Sequence, residues 1–183
     1  TGARVPEAVQ DSLRKLKTDF IDLVLIHWPG RDVPMEETLE ALSLLRDRSR
    51  VRHIGVSNFS TEEMRRALRC APVLCNQVEF HPFYGQSSLL ALAGREDFFV
   101  TAYSPLARGR AARSPVLAEI GDKYGKSAGQ VALRWLLEQP HVVAVPRSAS
   151  RKRQRENLEV FDFQLAAEDV ERINSLPKDR KQV

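Results

Sequence analysis

Five short apolar segments recur along this chain, and each is followed by a stretch whose apolar residues return at helical spacing. They are IDLVLIHW (21–28), VRHIGVS (51–57), VLCNQVE (73–79), FFVTAYS (98–104) and VVAVPRS (142–148). Most are too short for helices and rich in β-branched or aromatic residues, so they read as strands buried on both faces. Strands alternating with helices imply a parallel sheet joined by right-handed crossovers, because a strand can return to the same direction only through a crossover.

The intervening helices show their own signals. Residues 6–17 place Pro6 in a first turn, with Val9, Leu13 and Leu16 on one face. A second helix turns Met35, Leu39, Leu42 and Leu45 inward. A third opens on Ser60-Thr61-Glu62-Glu63, a capping-box pattern, and buries Met64, Ala67 and Leu68. Further helices are predicted over 86–95, over 114–139 with a break at Gly125 and Ser127, and over 167–176 with Val170, Ile173 and Leu176 inward. No low-complexity linker divides the 183 residues, so one domain over 1–183 is expected.

Composition excludes some classes. No apolar run approaches the ~18 residues of a membrane span. Cys70 and Cys75 match no zinc or redox spacing and read as buried thiols of a reducing compartment. The opening TGARVPEAV carries no export pattern and resembles the middle of a longer protein, so a cytoplasmic location is expected. His, Cys, Asp and Glu nowhere fall at metal-ligand spacing, and no metal is predicted. The net charge of +4 includes 24 acids and lacks a basic stripe with aromatic platforms, so no nucleic-acid partner is expected. The one dense basic run, 147–155, keeps that alternative open.

Two closures compete: an open doubly wound sheet and part of a (β/α)8 barrel. The first βα turn lacks G-x-G-x-x-G, which weakens the doubly wound reading. Each strand also ends in polar or aromatic groups: His27; Ser57-Asn58; Gln77 and Glu79; Tyr103-Ser104; Arg147-Ser148. In a parallel barrel such ends share the mouth that carries active sites. Any one of them could be a turn former or a helix cap; the same feature on five successive strands favours the barrel.

IDLVLIHWP, IGVSNF, NQVEFHP, TAYSPL and VPRSASRKRQRENLEVFDFQL together resemble successive blocks of the aldo-keto reductases, nearest the bacterial 2,5-diketo-gluconate reductase-like members. The resemblance covers essentially the whole chain. It implies a (β/α)8 TIM barrel of which this chain supplies about five units, strands 4 to 8. It also implies NADP(H) as cofactor, a small carbonyl substrate, no membrane partner and a monomer.

By that resemblance His27 orients the substrate carbonyl, since an imidazole can donate a hydrogen bond where negative charge develops. In isolation His27 could equally be a packed or capping histidine. Trp28 lines the substrate pocket or simply packs. Ser57, Asn58 and Gln77 match the group that holds the nicotinamide carboxamide, which needs both donors and acceptors. Tyr103 matches the aromatic beneath the nicotinamide ring, or is an ordinary core tyrosine. Ser104 and Leu106 match pyrophosphate contacts, and Gly109 lets the loop bend. Arg147, Ser148 and Arg153 match the grip on the 2′-phosphate, although the usual motif has Lys where Arg147 stands. Glu156 and Asn157 match adenine contacts. Arg151, Lys152 and Arg155 read as a solvated helix face, and His81 reads as structural.

The family's proton donor is a Tyr assisted by a Lys and an Asp, expected upstream of Thr1. Tyr84, Tyr103 and Tyr124 do not stand in that context. The C-terminal substrate loop is expected to be cut short after Val183, and a five-strand piece should leave edges at the His27 and Arg147 strands. A cofactor-binding regulatory or inactive module on the same barrel is the alternative reading.

Overall fold

The computed structural model describes residues 2–30 and 33–178, so the expectation for the C-terminal loop lies outside the described residues. The residues group into two compact units, Thr1–Gln77 and Val78–Val183.

The first unit runs α1 (Val5–Leu16), β1 (Ile21–Ile26), α2 (Met35–Asp47), β2 (Val51–Ser57), α3 (Thr61–Cys70) and most of β3 (Val73–Glu79). β1 pairs parallel with β2, and β2 parallel with β3. The helices bury the stripes their periodicity announced: Val9 and Leu13 on α1, and Met35, Leu39, Leu42 and Leu45 on α2. Each fully buried leucine contributes roughly 1.5–3 kcal/mol of transfer free energy. The capping box of α3 is formed in both directions, with Glu63 N–H donating to Ser60 Oγ (3.3 Å) and Ser60 N–H to Glu63 Oε2 (2.7 Å). Three expectations need correcting here, the first being Leu68, which is only half-buried beside the buried Met64 and Ala67 of α3. Leu16 is 64% exposed, because it sits in the last turn of α1 beyond the packed stripe. Cys70 is exposed at the end of α3, and only Cys75 is buried.

The register between β2 and β3 slips once, between Ile54 and Val56. Gly55 occupies that irregularity because nothing larger fits. A Cβ there would fall against Leu25 Cδ2, 2.8 Å from Cys75 Sγ and 3.2 Å from the Cys75 carbonyl oxygen.

The second unit takes up the end of β3 and continues through α4 (Ser87–Glu96), β4 (Phe99–Tyr103), α5 (Pro115–Tyr124), α6 (Ala128–Leu137), β5 (Val142–Ala144), α7 (Arg151–Leu158) and α8 (Ala167–Asn174). β4 and β5 pair parallel, with Ala102 opposite Ala144. The break predicted inside 114–139 is real: Gly125 ends α5 in a left-handed conformation, and Ser127 caps α6 through the Gln130 N–H. α6 is the most buried helix of this unit, with Val131, Ala132, Leu133 and Leu136 at 1% exposure or less. Asp169, in the first turn of α8, is buried. It accepts from Lys123 Nζ (2.7 Å) and the Tyr124 hydroxyl (2.8 Å), which docks α8 on α5.

Burial on both faces holds for β3 and for β2 from Ile54 onward; β4 alternates, with Phe99 44% exposed although it has a strand on either side, and β1 and β5 are open. Leu23 is 38% and Val143 43% exposed. These strands have a neighbour on one side only among the described residues, β1 on β2 and β5 on β4, as expected of edges. Five strands form among the described residues, where a complete barrel has eight.

Candidate active site

In the first unit the parallel arrangement brings the carboxyl ends of β1, β2 and β3 to one side, and three of the expected ligands meet there. Ser57 Oγ donates to the Gln77 carbonyl (2.8 Å), and the Asn58 backbone N–H donates to the same oxygen (2.9 Å). Asn58 Nδ2 donates to Ser57 Oγ (3.1 Å) and to the His27 carbonyl (3.3 Å). The backbone at Asn58 is left-handed (φ 63°), a conformation asparagine tolerates better than most residues. That turn swings the amide away from the strand direction and back toward His27. A strained backbone at a strand tip persists only where its surroundings fix it.

Part of that fixing comes from Asn76, which sequence reasoning did not single out. Its fully buried amide donates to the Phe59 carbonyl (2.9 Å) and accepts from the Phe59 N–H (3.4 Å), clamping the chain directly after Asn58. Period-2 alternation sends Asn76 and Gln77 to opposite faces of β3, so a polar residue on the covered face demanded a partner. The His27 side chain is exposed, its ring 6.3 Å from that of Trp28, and Trp28 is 44% exposed.

In the second unit, β4 ends on Tyr103, which is half-buried. Burial, reinforced by the negative charge of Glu79, raises the Tyr103 hydroxyl above its ordinary pKa, so the ring stays neutral. The chain beyond it is tightly wound. Ser104, Ala107, Arg108 and Gly109 all take positive φ, and only Gly109 (φ 89°) does so without strain. Leu106 is half-buried within this segment, and the Ala107 N–H closes a turn onto the Ser104 carbonyl (2.8 Å).

Arg147 and Ser148 lie just past β5, beside the tip of β4: Val145 N–H donates to the Ala102 carbonyl (3.1 Å). Together with Asn157 they line a hollow of about 660 Å³, walled on its apolar side by Leu133, Leu137 and Val143. Arg147 and Arg153 are exposed. Ser148 Oγ accepts from the Ser150 N–H (3.1 Å), and Gln154 Nε2 donates to the Ser148 carbonyl (2.8 Å), so this turn is preset. Ser150 Oγ in turn caps α7 at the Arg153 N–H (3.5 Å). Glu156 is half-buried and pairs with Lys152 (3.8 Å). Arg151, Lys152 and Arg155 form the solvated face expected of them.

His81 is buried with Glu79, both side chains fully inaccessible, and Nε2 lies 3.2 Å from Glu79 Oε1. Among the described residues no group of three or more His, Cys, Asp or Glu side chains could hold a metal ion. No helix among them is long and apolar enough to cross a membrane.

Each unit by itself offers groups whose chemistry matches a part of a dinucleotide. Clustered hydroxyl and amide groups suit a carboxamide, a neutral phenol suits an aromatic ring, and an exposed guanidinium beside a serine turn suits a phosphate. Parallel strands joined by helical crossovers define an α/β protein.

The aldo/keto reductase family profile matches residues 1–178, and the chain belongs to that family. It is 40% identical over 176 residues to the glyoxal reductase of Bacillus subtilis (strain 168), covering 95% of this chain and 63% of the relative. A crystal structure assigned provisionally as a 2,5-diketo-D-gluconic acid reductase B superposes with a TM-score of 0.96 at 42% identity, covering all of this chain and 66% of that one. An aldo-keto reductase crystallised with NADPH gives a TM-score of 0.92 at 30% identity, covering all of this chain and 62% of that one. The chain thus spans a little under two thirds of the length of these relatives.

Proposed function

We propose that this chain serves an NADPH-dependent reduction of aldehydes or ketones to alcohols, on a (β/α)8 barrel to which its five strands belong. The observation that carries the reading is the hydrogen-bonded cluster of Ser57, Asn58 and Gln77 against the backbone of His27. Ser57, Asn58 and Gln77 would hold the carboxamide and Tyr103 the face of the nicotinamide. Ser104 and Leu106 would contact the pyrophosphate, Arg147, Ser148 and Arg153 the 2′-phosphate, and Glu156 and Asn157 the adenine. Bound NADPH would supply the hydride that converts a carbonyl carbon to an alcohol carbon.

The residues of the chain do the rest of the work assigned here. His27 is exposed, so its imidazole is open to a carbonyl oxygen, and the Asn58 hydrogen bond fixes the backbone from which it projects. Trp28 beside it excludes water from one flank. The proton that completes the alcohol is assigned to no residue of this chain. The Tyr124 hydroxyl is committed to Asp169, and Tyr103 is used as a platform.

The test compares wild-type full-length protein with Arg147→Ala. Loss of a charge-assisted phosphate contact is expected to weaken NADPH by ~10-fold or more while leaving NADH within ~2-fold. Equal losses for both cofactors would refute the phosphate assignment. Failure of the wild type to bind NADPH would refute the function.

A further inference from the structure

The second unit contains a buried ionisable pair to which none of the assigned roles gives a task. Burying a carboxylate is costly unless its partners are in place, and Glu79 and His81 partner each other with both side chains fully inaccessible. The hydrogen bonds define how. Phe83 N–H donates to His81 Nδ1 (3.2 Å), which leaves Nε2 to carry the ring proton and donate it to Glu79 Oε1 (3.2 Å). Burial pushes the imidazole below its ordinary pKa against the pull of Glu79, which keeps His81 neutral and this tautomer fixed. The turn is then closed by the paired backbones of His81 and Tyr84. Gln86 Nε2 anchors it at the Glu79 carbonyl (2.8 Å), and Lys178 Nζ at the Pro82 carbonyl (2.7 Å).

This turn touches both ends of one other segment. At the near end, Phe80 N–H donates to the Tyr103 carbonyl (3.3 Å). At the far end, the Arg110 guanidinium stacks on the Phe83 ring, 4.0 Å from its centroid. Between those two points lie Ser104, Ala107 and Arg108, three non-glycine residues in left-handed conformations. Such a run persists only if its ends are held.

We infer that the buried turn from Glu79 to Tyr84 is a buttress that presets the 103–110 segment for its ligand, with His81 and Phe83 as positioning residues. The inference rests on the proposed function in one respect: that this segment receives NADPH. A preset segment costs the ligand less ordering on binding, so loss of the buttress should show in affinity and in local protection together.

The experiment uses the full-length protein and NADPH. Phe83→Leu keeps apolar volume and removes the aromatic face, and Phe83→Tyr keeps the face. Arg110→Gln removes the cation from a half-buried position, where misfolding is not at issue, and His81→Gln tests the pair itself. Phe83→Leu and Arg110→Gln should each raise the NADPH dissociation constant by ~3- to 30-fold, the span of a partly desolvated cation–π contact. Both, with His81→Gln, should speed tryptic cleavage after Arg108 in the ligand-free protein. Phe83→Tyr should restore wild-type values on both counts. Asp169→Asn, which disturbs only the α5–α8 docking, should lower the unfolding midpoint without moving either value. Unchanged affinity in Arg110→Gln, with unchanged cleavage in Arg110→Gln and His81→Gln, would overturn the buttress. If the wild type fails to bind NADPH, the proposed function falls, while the cleavage rates still decide the buttress.

Discussion

Replacing Asp169 by Asn isolates the one buried carboxylate that fastens α8. Its side chain is 1% exposed and receives two hydrogen bonds, from Lys123 at 2.7 Å and from the Tyr124 hydroxyl at 2.8 Å. An asparagine retains one acceptor oxygen, so one bond survives and the other meets an N–H₂ group that cannot accept. A hydrogen bond to a charged group contributes about 1.5–3 kcal/mol. Lys123 is 44% exposed and rehydrates when released, which discounts its share. The expected loss is therefore about 2 kcal/mol at pH 7, or ~4–8 °C in Tm for a chain of this size. The pH dependence supplies the sharper test. Burial alone would raise the Asp169 pKa, but the bonds from Lys123 and Tyr124 and the nearby cations outweigh it and hold the carboxyl below its ordinary value. A carboxyl lowered on folding stabilises fully above its unfolded pKa, about 3.9, and loses that contribution as pH falls through the lower folded value. Urea unfolding of both proteins at pH 7, 5, 4 and 3 should show a constant difference down to about pH 5 that shrinks below about pH 4. A difference that stays level at pH 3, or grows, would refute the account of this network.

Three other outcomes follow from particular contacts. Gly55→Ala should destabilise by about 1–3 kcal/mol, the cost of overpacking, because its Cβ would stand 2.8 Å from Cys75 Sγ. An unchanged urea midpoint would mean the strands are not this close. A maleimide should label one thiol in the native chain, Cys70, and two after denaturation; labelling of Cys75 in the native state would contradict its burial. Tyr103→Ala should raise the NADPH dissociation constant of the full-length protein by ~10-fold, within the range of an aromatic stacking contact. An unchanged value would return Tyr103 to a packing role.

Much of the fold was legible because its signals are local. The α2 stripe, the Ser60–Glu63 box and the Gly125–Ser127 break each depend on residues within a turn or two, and all three stand where the sequence put them. The errors lie where burial depends on what stands next door. β1 and β5 carry the same apolar composition as the central strands, yet each has one neighbour among the described residues, and composition does not count neighbours. Cys70, the last residue of α3, ended on a solvent face because it lies off the stripe that Met64 and Ala67 bury.

The candidate residues were likewise named from linear motifs, because chemistry-bearing groups at strand ends recur in a readable order. The sequence by itself determined the order of elements, the helix caps and which side chains have chemistry to offer. Only the tertiary structure decided their connections: the Asn58 amide reaching back 31 residues to the His27 carbonyl, and Asn76 holding Phe59. Those links join backbones and side chains that the parallel crossovers, not proximity along the chain, bring within hydrogen-bond reach. A polar group buried by such a crossover is satisfied by whatever the fold delivers to it, and that partner cannot be read from spacing.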